Sequence, residues 1–127
     1  MRSDPINAKS RPIVDVQLSK KDNPLSVFMH TTLRPVLKQK HDTLCAIIRD
    51  NKNLNTDDFS AENELRNTAT LKQFMQKNTE LRSVLIGTII GSFTTEELEF
   101  YLQNQKEAKR RIVEMIITRF LSEFKNH

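Results

Sequence analysis

The sequence predicts an all-α fold: a small helical bundle of about four helices, with a long C-terminal helix over about 95–124 and an extended or disordered N-terminal arm. Three observations carry this. The 127 residues include two glycines and four prolines, too few turn formers for the many tight connections of an all-β fold. Apolar residues recur at spacings of three and four along most of residues 36–124. The stretch "FTTEEL", residues 93–98, carries a complete helix start.

Two parts are expected, an arm over residues 1–23 and a single helical domain over residues 24–127. A chain of this length buries roughly two-thirds of its unfolded surface, so it needs no metal or disulfide staple. The arm is polar, with Pro5 and Pro12. Within it Val14, Val16 and Leu18 alternate with Asp15 and Gln17, the two-residue period of a strand. A lone strand needs a partner, and no other segment supplies one, so an extended or disordered arm is preferred. The first twelve residues lack an apolar core, so no secretory leader is expected.

The helices follow in order. Asn23 can cap a short helix opening at Pro24, since asparagine accepts from free N–H groups and proline tolerates the first helical position. Pro35 should interrupt it, with a new start between Thr31 and Arg34, because proline has no N–H and clashes with the preceding turn. The next helix carries Val36, Leu37, Leu44, Ile47 and Ile48 on one side. "RDNKNLNTDDFS", residues 49–60, is rich in Asn and Asp and reads as a loop pinned by Leu54 and Phe59. Ser60 can cap a helix with Leu65, Leu71, Phe74 and Met75 on its apolar side. Asn78 and Thr79 offer a break or a second start, after which "ELRSVLIGTIIGSF" continues as helix. Gly91 should end it in a left-handed conformation. Thr94 then forms a capping box with Glu97, and Phe93 can meet Leu98 as a hydrophobic staple. No proline or glycine follows, so this helix should run for some thirty residues.

The apolar stretch "VLIGTIIGSF", residues 84–93, is too short to be a membrane span, which needs about twenty apolar residues. Gly87 inside it costs about 1 kcal/mol relative to alanine. That cost suggests close approach by another helix, which a missing side chain permits.

The apolar residues Ile112, Val113, Met115, Ile116, Ile117, Phe120, Leu121 and Phe124 leave only a narrow polar stripe on the last helix. Such a helix is either central in the core or covered by a second chain. With few other long helices to wrap it, a homodimer or partner contact is expected. Its interface residues would be Gly87, Ile112, Val113, Ile116, Ile117, Phe120, Leu121 and Phe124.

Catalytic constellations are absent from the sequence: there is no phosphate-binding glycine loop, nucleophile elbow or dinucleotide fingerprint. No catalytic residue, cofactor or metal ligand is assigned. His41 and Cys45 share a helix face, but two ligands do not make a zinc site, and a thiol on the apolar side is inert. Asp57 and Asp58 lack the glycine and spaced acids of a calcium loop and read as caps. The single cysteine cannot form an internal disulfide, which points to a reducing, cytoplasmic location.

The net charge is +4, with twenty cationic residues interleaved among sixteen acids. A solubilising surface is the simpler reading. The most concentrated basic feature is "KEAKRR", where Lys106, Lys109, Arg110 and Arg111 could contact phosphates, although Glu107 interrupts them. The leading expectation is therefore a non-catalytic protein–protein interaction module, homodimeric through its C-terminal helix: an adaptor, a chaperone-like subunit or a regulator. The alternative is a nucleic-acid-binding regulator that uses those four cations and the arm.

Overall fold

A computed structural model describes residues 23–124. The arm and its strand-like residues 12–18 lie outside the described residues. All regular structure among the described residues is helical, so the all-α expectation holds. The helical segments are shorter and more numerous than about four: α1 (Pro24–Phe28), α2 (Arg34–Gln39), α3 (His41–Arg49), α4 (Glu64–Lys77), α5 (Thr79–Ile90), α6 (Thr95–Gln103) and α7 (Gln105–Leu121).

Asn23 caps α1 as expected, its Oδ1 accepting from the Ser26 N–H at 2.7 Å. Pro35 does not end the helical path. A π turn, Met29–Leu33, joins α1 to α2, and the Arg34 N–H bonds back to the Met29 carbonyl, five residues earlier. The wider turn relieves the clash between a proline ring and the carbonyl four residues before it, and Pro35 ends buried rather than at a boundary. The chain then kinks at Lys40, where φ is −98° and ψ 8°, so the single helix expected over Val36–Ile48 is two.

The loop after α3 is built from its own polar side chains. Asn51 Oδ1 accepts from Asn53 N and Asn55 Oδ1 from Asp57 N, each at 3.0 Å. Phe59 is buried and Leu54 half-buried, so both anchor the loop. Ser60 does not cap α4, which begins at Glu64. Instead its backbone is gripped by buried Asn67, which donates to the Ser60 carbonyl at 2.7 Å and accepts from the Ser60 N–H at 3.2 Å. That pair of bonds fastens the loop to α4. Replacing Asn67 with aspartate would turn the donor into an oxygen facing a carbonyl oxygen and break the grip.

Asparagine makes two further breaks. At Asn78 φ is −108° and ψ 75°, which separates α4 from α5. At Asn104 φ is −126° and ψ 30°, which divides the expected long helix over 95–124 into α6 and α7. In both, the side-chain amide donates to the carbonyl four residues back, Phe74 at 3.3 Å and Phe100 at 2.9 Å. The amide competes with the helix for its own backbone, which is why asparagine favours helix ends. A 3₁₀ turn, Ser122–Phe124, follows α7.

Gly91 is right-handed, with φ −61°, and not left-handed as expected. The N–H groups of Ser92 and Phe93 satisfy the Ile89 and Ile90 carbonyls through tight turns at 3.0 Å, so no left-handed residue is needed. The capping box forms as predicted: Thr94 N–H donates to Glu97 Oε1 at 2.8 Å, and Glu97 N–H to Thr94 Oγ1 at 3.3 Å. The other carboxylate oxygen of Glu97 accepts from buried Thr32 at 3.0 Å, which ties α6 to the π turn. Phe93 is fully buried, its ring meeting those of Phe28 and Tyr101.

Helix α7 lies at the centre. It packs on α3, α4, α5 and α6. Ile112, Ile116, Ile117 and Phe120 are all at most 3% exposed among Leu71, Met75, Leu85 and Ile89. Burying four such side chains stabilises by roughly 6–12 kcal/mol before the opposing chain entropy. Of the two sequence readings for this apolar helix, the central one is met by the chain itself. The reason for invoking a second chain over Ile112, Ile116, Ile117 and Phe120 disappears, because the shorter helices wrap them. No helix among the described residues is long and apolar enough to cross a membrane.

Candidate functional site

A cleft of about 490 Å³ lies where α4, α5 and α7 meet. Each helix contributes residues three or four apart, which share one face. From α4 come Lys72, Met75 and Gln76; from α5, Arg82, Ser83 and Ile86; from α7, Lys109, Arg110, Val113, Glu114 and Ile117. The floor is apolar, with Met75, Ile86 and Ile117 buried and Val113 half-buried. Lys72, Lys109 and Arg110 are exposed at the rim, and Arg82 is half-buried.

The charge is lopsided. The lining holds four cations and one carboxylate, Glu114, and neither His nor Cys. Arg110 is already engaged: it donates to Glu114 at 2.9 Å and forms a forked contact with Glu107. That hydrogen-bonded guanidinium holds the Glu107 carboxyl below its ordinary value. Arg111 stands 3.9 Å from Glu114. Lys72, Arg82 and Lys109 have no carboxylate partner among the described residues. An apolar floor under three uncompensated cations suits a ligand that is apolar at its centre and acidic at its edges.

The structure redistributes the residues predicted from sequence. Val113 and Ile117 line the cleft, while Ile112, Ile116 and Phe120 are interior. Leu121 and Phe124 are half-buried over a smaller hollow beside Asn67 and Thr118. Gly87 is exposed, and a Cβ placed there would meet no atom within 4 Å, so no helix among the described residues approaches it. The four basic residues do not act as one free patch. Lys106 and Lys109 project freely, whereas Arg110 and Arg111 face Glu107 and Glu114.

Lys72 and Arg82 went unread in the sequence, and nothing local could have marked them. They become part of a site only when three helices converge. Asp57 and Asp58 sit exposed in a 3₁₀ turn capped by Asn55. Cys45 is buried, and burial first and the nearby Glu123 charge second push its thiol up from its ordinary value, which disfavours the nucleophilic thiolate.

No protein-family model, no curated protein and no solved structure matches the chain.

Proposed function

We propose that this protein is a non-catalytic α-helical interaction module, an adaptor, chaperone-like subunit or regulator. Its docking site is the α4–α5–α7 cleft, and the segment it takes is an acidic amphipathic helix of a partner protein. The observation that carries this is the apolar floor of Met75, Ile86, Val113 and Ile117 beneath uncompensated Lys72, Arg82 and Lys109. Apolar residues of the partner at helical spacing would fill the floor, in the manner of helix-in-groove recognition. Flanking acids would meet the lysines, speeding encounter and excluding basic competitors. A second copy of the chain is one protein that could present such a segment. The nucleic-acid reading has less support, because two of its four cations are bound to carboxylates of their own helix.

The test is selection of peptides from a random displayed library on the wild-type chain, with counter-selection on a Lys72→Glu, Lys109→Glu variant. Enriched peptides should pair apolar residues at i, i+3, i+4 and i+7 with acidic flanks. They should lose at least about tenfold in affinity, about 1.4 kcal/mol, toward the variant. Sequences without that pattern, or bound equally by the variant, would refute the cleft reading. A salt-sensitive complex with a single-stranded oligonucleotide, lost on Lys106→Ala with Lys109→Ala, would establish the nucleic-acid alternative.

A further inference from the structure

Three metal-binding side chains converge where α3 meets the turn after α7. His41 opens α3 and Cys45 follows one turn later on the same face. The third, Glu123, comes from the turn after α7, 82 residues from His41. His41 Nε2 lies 3.0 Å from Glu123 Oε1 and 3.6 Å from Cys45 Sγ, and the three donor atoms fall within 4.8 Å of one another.

The two distances from His41 Nε2 lie close to edges of a tetrahedral zinc site, and the third ligand pair is near enough to close on an ion. Bonds of about 2.0 Å to nitrogen, 2.3 Å to sulfur and 2.1 Å to oxygen place N and S about 3.5 Å apart, and N and O about 3.3 Å apart. A catalytic relay has a different layout: its histidine meets the nucleophile with one ring nitrogen and the carboxylate with the other. Here sulfur and carboxylate face the same Nε2, which cannot donate to Glu123 and accept from the thiol at once. One cation at the common focus would satisfy all three.

The turn that carries Glu123 is held in place. Phe124 packs edge-on to Phe59, with ring centroids 5.3 Å apart, and the Arg49 guanidinium of α3 lies 5.4 Å from the Phe124 centroid. The focus is reached from solvent on one side, since the side chains of His41 and Glu123 are 23% and 40% exposed.

We infer that His41, Cys45 and Glu123 bind a zinc-class divalent ion that clasps the turn after α7 onto α3, with its fourth position open to water or a partner's donor. Binding replaces the Cys45 S–H bond with a sulfur–metal bond and releases that proton to solvent. His41 enters neutral through Nε2, and Glu123 enters as the carboxylate.

Cobalt(II) alone, titrated into the reduced full chain under inert gas, tests this. One cobalt per chain should bind, with a thiolate-to-cobalt charge-transfer band and the intense visible bands of tetrahedral cobalt, and zinc should displace it. Cys45→Ser should abolish the charge-transfer band, and Glu123→Gln should weaken binding at least about tenfold while keeping it. Glu123 is exposed, so this second variant remains informative should the serine variant fail to fold. A wild-type titration without a thiolate band overturns the site, and so does a Glu123→Gln, His41→Ala chain that binds as tightly as wild type.

Discussion

Ile116→Ala separates a core helix from a dimer seam. Ile116 is 1% exposed in the single chain. The substitution removes three carbons, worth about 2.4 kcal/mol of transfer free energy at about 0.8 kcal/mol each. A residual cavity among the rigid α3, α4 and α5 contacts adds to this, for a total of about 3 kcal/mol. At about 4 °C per kcal/mol for a chain of this size, the midpoint should fall by about 12 °C. The assay is thermal and urea denaturation followed by far-ultraviolet circular dichroism at widely separated protein concentrations. If this chain alone buries Ile116, wild type and variant will each melt at a temperature independent of concentration. A midpoint that climbs with concentration would mean that folding and association are linked. A loss below about 1 kcal/mol, or a loss that depends on protein concentration, would refute the placement of α7 as an intramolecular core helix.

Gly87→Ala should stabilise the protein by about 0.5–1 kcal/mol, since a Cβ there meets open space and alanine is the better helix former; a lower melting midpoint would reveal a neighbour at that position. In metal-free buffer, the stability contributed by Cys45 and Tyr101 should be fully present below about pH 9 and be lost above it. Burial raises Cys45 from 9.0 and Tyr101 from 10.0, so both stay neutral in the folded chain while the unfolded chain loses their protons first. Urea midpoints across that range for wild type and Cys45→Ser check this, and a wild-type profile that rises with pH would contradict the direction.

The features legible in the sequence are those set within a turn or two. The Thr94–Glu97 capping box is made by residues three apart, so its pattern and its geometry coincide. The same holds for the Asn23 cap, for the polar loop pinned by Phe59, and for the apolar residues in the C-terminal half of α7. The breaks at Asn78 and Asn104 were harder to read. An asparagine side chain and the helix backbone differ by little in free energy as partners for one carbonyl, and packing tips the balance. Pro35 illustrates the converse, since a local rule that proline ends a helix yields where a π turn keeps its ring buried in the core.

Sequence by itself determined that this chain is helical, where its strongest helix start lies, and that the apolar C-terminal half of its last helix must be covered. Tertiary structure alone decided what does the covering, because the burial of Ile112 and Phe120 depends on how several short helices cross. It alone brought Lys72, Arg82 and Lys109 around one apolar floor, and Glu123 beside His41 and Cys45. Hydrogen bonds within a turn are written in neighbouring residues. The meeting of side chains 82 positions apart is the sum of every intervening helix length, kink and packing angle, and no short stretch of sequence contains that sum.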